Sequence, residues 1–381
     1  MKVVHVAGKC PPGASGGTRL VVDLACSLKL HNDVECVFVG TVTANPVYAP
    51  VLEEAGVPVV NLYVPPVRKS LLGALKAWRM LKSHPQLRDI DVVHAHSNVS
   101  VPARLARRCG VPLVINAHGD PSGQTSSDWR ERVSRWYHAS VYSKATAVVA
   151  VSEHVREDVL RRLGNASVTS RVIHNGCDVN AFCPGEITTP NSLLARLRSE
   201  GRVLCGIVGR VARGKRSMDV LDLAEATVRE LPQLAFVFVG DGILSEQVRV
   251  EVRQRGLEDR VFLLGFQSEI AEVYRQLDVL VHVSPHEPFG LIYIEAMACG
   301  LPVVGAAGSA VHEIVLPNET GFICNPGKWE EWTQALQELA EPERRRYMGD
   351  AGLQRARENF SVEAMVDKYV ALYREVTGTD G

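Results

Sequence analysis

The chain has 381 residues, 46% of them hydrophobic, which is enough for about two domains with sizeable cores. Its 42 basic and 43 acidic residues leave a net charge of −1, which excludes charge-driven wrapping of nucleic acid as a property of the whole chain. Nine scattered cysteines, odd in number and without a C-x-x-C, argue against a disulfide framework or a zinc site and for reduced thiols in a cytoplasm. MKVVHVAG at the start is already a strand, and no apolar run reaches membrane-spanning length, so a protein neither secreted nor integral to a membrane is expected.

Val3 to Ala7 reads as a buried parallel strand, followed by a glycine-containing loop with Gly16-Gly17 and a helix from about Arg19 to Leu30. Adjacent glycines let backbone approach a phosphate or sugar, but the G-x-G-x-x-G fingerprint of dinucleotide sites is missing, which disfavours a redox enzyme. Strands are expected at Val34 to Val39, Val57 to Leu62, Val92 to Ala95, Leu113 to Asn116 and Ala147 to Val151. Helical stretches separate them, the alternation of a doubly wound parallel sheet. Residues 67–82 carry five bases and no acid, with Leu71, Ala74, Leu75, Trp78 and Leu81 on one helical face. Such a helix can lie on anionic lipid, although an ordinary surface helix packed on the sheet is the commoner use of this pattern.

His94 and His96 sit at one strand's carboxyl end and face the same side. A metal pair is conceivable there, hydrogen-bonded packing is favoured, and no metal is assigned. His118-Gly119 ends the next strand and opens a polar loop from Asp120 to Asp128, which reads as a site-lining turn. A last strand from Arg171 to His174 closes the half, and the proline- and threonine-rich stretch Pro184 to Asn191 marks a domain boundary.

The second half repeats the alternation, with strands at Val203 to Val208, Leu234 to Val239, Val261 to Leu264, Val279 to Val283 and Val303 to Gly305. Its first strand ends in Gly209-Arg210, and Arg213, Lys215 and Arg216 follow, ahead of a helix expected from about Ser217. Bases and a helix terminus together suit a negatively charged group. Gly240-Asp241-Gly242 ends the next strand, where Asp241 is either a ligand contact or a turn former. The stretch His282 to Gly305 is the focus. Glu287 lies in a proline-bounded loop, Glu295 lies inside the following helix, and the backbone N–H groups of Phe289, Gly290 and Leu291 between them suit an anion such as phosphate.

Glu287-Pro-Phe-Gly-Leu-Ile-Tyr-Ile-Glu295 resembles the E-x7-E signature of the retaining glycosyltransferases of family 4. Gly16-Gly17, His94-Ala-His96, His118-Gly-Asp120, Asn175-Gly176, Gly209-Arg210 with Lys215 and Gly240-Asp241-Gly242 keep the family's order over nearly the whole chain. The resemblance implies the α/β GT-B architecture, two Rossmann-like doubly wound parallel-sheet domains facing across a cleft. Residues 1–183 would form the acceptor-side domain, with a terminal helix at 361–376 packing back on it, 184–200 a linker, and 201–360 the nucleotide-sugar domain. Two departures stand out: Arg216 replaces the glycine usual after the lysine, and Gly308-Ser309 replaces Gly-Gly.

The activity implied is metal-independent, retaining hexosyl transfer from a nucleoside diphosphate sugar, UDP foremost, to an acceptor hydroxyl, with no cofactor. His118, Arg210, Lys215 and Glu287 would be catalytic. Gly16, Gly17, Asp241, Phe289, Gly290, Leu291 and Glu295 would bind the donor, and Asp120 and Trp129 would lie on the acceptor side. An epimerase or phosphorylase on the same fold, or a non-catalytic nucleotide-sugar-binding subunit, are the alternatives. A cytoplasmic location, with contact to the inner membrane face through 67–82 left open, completes the expectation.

Overall fold

The computed structural model describes residues 1–7, 16–30, 34–40, 49–61, 79, 81, 83–96, 100–119, 140, 142–163, 168–227, 229–308 and 310–379. Asp120, Trp129 and all of 67–82 except residues 79 and 81 lie outside the described residues. The chain divides into two compact units, one of residues 1–176 and 362–381, the other of residues 177–361.

Unit 1 runs β1 (Lys2–Ala7), α1 (Gly16–Lys29), β2 (Glu35–Gly40), α2 (Ala49–Glu54), β3 (Val59–Asn61), β4 (Val92–Ala95), α3 (Ser100–Cys109), β5 (Leu113–Ala117), β6 (Ala147–Ala150), α4 (Glu153–Leu163) and β7 (Thr169–Val172). The strands form one parallel sheet of order β3-β2-β1-β4-β5-β6-β7. Parallel strands covered on both faces need apolar residues at consecutive positions, and Val3, Val4, Val92, Val93, Val148 and Val149 are all fully buried. Gly16-Gly17, expected in a loop, are instead the first residues of α1.

Unit 2 runs α5 (Ser192–Ser199), β8 (Val203–Val208), α6 (Asp219–Thr227), β9 (Leu234–Val239), α7 (Ser245–Gln254), β10 (Val261–Gly265), α8 (Ile270–Tyr274), β11 (Val279–His282), α9 (Leu291–Ala298), β12 (Val303–Ala306), α10 (Val311–Ile314), β13 (Gly321–Cys324), α11 (Trp329–Ala340) and α12 (Pro342–Asn359). Its sheet is again parallel, of order β10-β9-β8-β11-β12-β13. The chain then returns to unit 1 as α13 (Val362–Thr377), which packs beside α1.

The stretch 184–200 is not a free linker but part of unit 2. Asn191 caps α5, its side-chain oxygen accepting from the N–H groups of Leu193 and Leu194 at 3.0 and 3.3 Å. Leu194 and Leu197 are buried, and Glu272 takes the N–H groups of Thr188 and Thr189 at 3.0 and 3.2 Å. The base cluster after β8 also departs from expectation, because Arg213–Lys215 form a 3-10 turn and Arg216 adopts a left-handed conformation (φ 52°) before α6 begins at Asp219. Among the described residues no helix is long and apolar enough to cross a membrane.

Candidate active site

In each sheet the strand order reverses once, between β1 and β4 in unit 1 and between β8 and β11 in unit 2. Ligands of open parallel sheets bind outside the carboxyl ends of strands at such a point. Both places gather buried polar residues.

At the unit 2 reversal, β8 delivers Gly209 and Arg210, the latter exposed, and the 3-10 turn brings Lys215 toward β11. There Lys215 Nζ forms an ion pair with Glu287 Oε1. Desolvation, and to a smaller extent the charge of Arg210, pull the Lys215 ammonium down to about 8. Glu287 is 9% exposed, and its Oε1 also accepts from His282 Nε2 at 3.1 Å. A carboxylate only accepts, so the bonded imidazole nitrogen is the protonated one. The ring is neutral because desolvation, with the nearby Lys215 charge, lowers its pKa to about 3.

The Glu287 loop is tied on both sides. Ser284 Oγ donates to the carbonyl of Gly214 at 3.2 Å, joining it to the Lys215 turn. Gly290 (φ 95°) precedes α9 in a left-handed conformation, and a Cβ there would come within 2.5 Å of the Tyr293 ring. Phe289 is buried against Phe360, with ring centroids 6.1 Å apart. Inside α9, Glu295 accepts from the hydroxyl of the buried Tyr274 at 3.2 Å.

Asp241 is exposed and serves its own turn, accepting from the Gly242 N–H at 2.7 Å and from Ser245 Oγ. Those bonds, the Ser245 one foremost, lower its pKa. A Cβ on Gly240 would lie 2.1 Å from the Gly209 carbonyl oxygen, so close backbone approach between the β8 and β9 ends explains that glycine without a ligand.

At the unit 1 reversal the residues are polar and uncharged. His5 pairs in register with His94, and period two puts His96 on the same face. Asn116 and His118 follow the same alternation along β5 and its end, since Val114 pairs with His94. His5 Nδ1 and His96 Nε2 share a hydrogen bond at 3.0 Å. His94 Nε2 donates to Asn116 Oδ1 at 2.9 Å, which leaves Nδ1 to accept from the Tyr373 hydroxyl at 2.7 Å. Asn116 Nδ2 in turn donates to the Tyr369 hydroxyl at 2.7 Å.

Burial lowers the pKa of His5 to about 3 and of His118 to about 4, and holds His94 and His96 well below 6.5, so all four rings are neutral. His5, His94 and His96 each bring a potential ligand nitrogen within 4.8 Å of the others. A metal would take His94 away from Tyr373 or Asn116 and would place its charge among neutral groups, so the cluster fits hydrogen-bonded packing better than ligation. Two buried nitrogens, His96 Nδ1 and His118 Nε2, have no partner among the described residues.

The structure therefore brings Arg210, Lys215, Glu287, Phe289, Gly290, Leu291 and Glu295 to one end of the unit 2 sheet. His118 and the α1 start with Gly16 and Gly17 belong to unit 1. His282, Tyr274, His5, Asn116, Tyr369 and Tyr373 join these clusters without having been expected there. Alternation along β1 and β5 was the available signal for His5 and Asn116, and the i, i+4 spacing on α13 for the tyrosines. No local pattern points to Tyr274.

Residues 14–181 match the family described as Glycosyltransferase Family 4, and residues 195–355 match Glycosyl transferases group 1. The chain is 30% identical over 304 residues to the D-inositol 3-phosphate glycosyltransferase of Rhodococcus opacus, covering 75% of this chain and 68% of that one. It is 28% identical to the alpha-maltose-1-phosphate synthase of Mycolicibacterium smegmatis, over 99% of this chain and all of the other. The crystal structure of Anabaena Alr3699/HepE in complex with UDP and glucose superposes with a TM-score of 0.77 at 23% identity, covering 98% of this chain and 100% of that one.

Proposed function

Because the chain belongs to the glycosyltransferases of family 4 and has their fold of two Rossmann-like parallel-sheet domains, we propose that it moves a hexosyl group, with retention, from a UDP-sugar to an acceptor hydroxyl without a metal. The observation that carries this reading is the meeting of Arg210, Lys215 and Glu287 at the β8/β11 reversal.

In that reading the bond from the sugar's anomeric carbon to the diphosphate oxygen breaks, and its electron pair leaves with the diphosphate. Arg210 and Lys215 receive the growing negative charge, in an environment drier than bulk water and therefore more effective. The acceptor hydroxyl adds on the face the diphosphate leaves and gives its proton to a departing phosphate oxygen. Glu287 holds a hydroxyl of the transferred sugar, and Glu295, oriented by Tyr274, holds the ribose. His118, being neutral, would offer a ligand hydrogen bonding rather than charge. UDP is favoured as donor base because the HepE complex holds UDP.

Metal independence is supported by the placement of charge. Cations that a metal would supply are here side chains, and the Asp89-Ile90-Asp91 pattern lies at the amino end of β4, where Asp91 accepts the Lys2 N–H at 2.7 Å. The test is a panel of UDP-, GDP- and ADP-sugars, screened by thermal shift and then for transfer in EDTA, with the anomeric configuration of the product read by NMR. UDP-sugar transfer with retention is expected. An inverted product, strict need for manganese or magnesium, or no transfer from any donor would each overturn its part of the reading.

A further inference from the structure

His282 lies at the last position of β11, 3% exposed, and its only acidic neighbour among the described residues is Glu287. An aromatic or aliphatic residue would fill this buried place without the cost of desolvating two ring nitrogens, so the imidazole needs a reason. Its ring is braced from behind. Tyr293 meets it edge-on with centroids 5.5 Å apart and planes at 81°, and the Tyr293 ring is itself held against Gly290 at the start of α9. In front, Nε2 reaches Glu287 Oε1 at 3.1 Å, the same oxygen that pairs with Lys215. Among the described residues no hydrogen bond falls on Oε2.

The two bonds to Oε1 differ in permanence. Lys215 has a long side chain and must turn toward the donor's diphosphate to do its work, which takes away an ion-pair partner of Glu287. His282 cannot follow, being fixed between β11 and Tyr293. We propose that His282 is a positioning residue for Glu287: its Nε2–H holds Oε1 when Lys215 leaves, so that Oε2 stays aimed at a hydroxyl of the donor sugar. Without this bond the carboxylate would lose its orientation at the moment its other partner is withdrawn.

This inference rests on the reading of Glu287 as a contact to the donor sugar. His282→Leu removes the donor at similar volume, whereas His282→Gln keeps an N–H near the Nε2 position. We expect His282→Leu to lower kcat by about 10–100-fold with a smaller change in donor KM, the range for losing a group that orients a ligand-contacting residue. His282→Gln should return kcat to within about threefold of the parent, and in a Glu287→Ala background His282→Leu should add no further loss.

Nitrogen-15 NMR of the histidines gives a readout independent of turnover: the His282 Nε2–H signal should be present in the parent and shift in Glu287→Ala. A folded His282→Leu with full kcat, a Gln variant as impaired as the Leu variant, additional loss in the Glu287→Ala background, or a His282 resonance indifferent to Glu287 would each overturn the proposal. A parent enzyme that transfers from no donor would sink the transferase reading instead, and the NMR comparison would still decide the His282–Glu287 bond.

Discussion

The two sheets reverse their strand order at equivalent places and fill those places with opposite chemistry. Unit 1 packs neutral rings: His5 and His96 bond each other, His94 bonds Asn116 and Tyr373, and Asn116 in turn bonds Tyr369. Unit 2 sets a cation against an anion, Lys215 on Glu287, with Arg210 exposed beside them. Histidines that are buried among neutral groups spend most of their polarity on packing. A charged pair held partly out of water keeps electrostatic work in reserve, and in the proposed reading its Lys215 ammonium exchanges a carboxylate for a diphosphate. The lesson is that a polar cluster at a strand reversal is informative about function only once its partners are known.

Acid should break the comparison most forcibly. The unit 1 histidines are neutral when folded and ordinary when unfolded, so the unfolded state binds more protons below pH 6.5. Stability is full above that value and falls as pH drops toward the folded values of about 3 for His5 and about 4 for His118. At pH 5 each of these two should cost about 2 kcal/mol, with His94 and His96 acting in the same direction, against a single such ring, His282, in unit 2. Hydrogen exchange corrected for intrinsic rates, followed from pH 7 to pH 5, should show unit 1 opening first. Equal protection of both units would contradict the neutral-histidine account.

Next in size is the loss of charge at the unit 2 reversal. Lys215→Ala and Arg210→Ala should each lower kcat by about 10²–10³, or about 3–4 kcal/mol, with the fold retained, while Glu295→Ala should act mainly on donor KM. The proton on Lys215 gives a sharper test. In the free enzyme kcat/KM for the donor should fall as pH rises through about 8, as that charge is lost, and Lys215→Arg should remove this alkaline limb. A limb that survives in Lys215→Arg would assign it to another group.

Smallest is the effect of one hydroxyl in the histidine cluster. Tyr373→Phe leaves His94 Nδ1 without its donor and should cost about 1–3 kcal/mol of stability, read by denaturant unfolding, with donor binding unchanged. A Tyr373→Phe variant of full stability, or one with weakened donor affinity, would mean that this cluster is not the structural counterpart described above.

Much of this molecule was determined by the sequence itself. Val-rich runs of four to six residues ended by glycine can be buried on both faces in only a few ways, so the two parallel sheets and most strand positions follow from local pattern. The spacing from Glu287 to Glu295 and the bases after β8 are likewise local, and they located one end of the unit 2 sheet.

Elements whose reason is not local escaped. α5 lay hidden in a proline- and threonine-rich stretch, β13 is a four-residue edge strand, and the left-handed Arg216 displaced the helix expected from Ser217 to Asp219. The partners of the site residues also needed the tertiary structure. Tyr274 meets Glu295 across 21 positions, Lys215 meets Glu287 across 72, and His94 meets Tyr373 across 279. Period and propensity act between neighbours in the chain, whereas a hydrogen bond acts between neighbours in space, so only the folded sheet could show which polar residues are held by uncharged partners and which keep a charge to use.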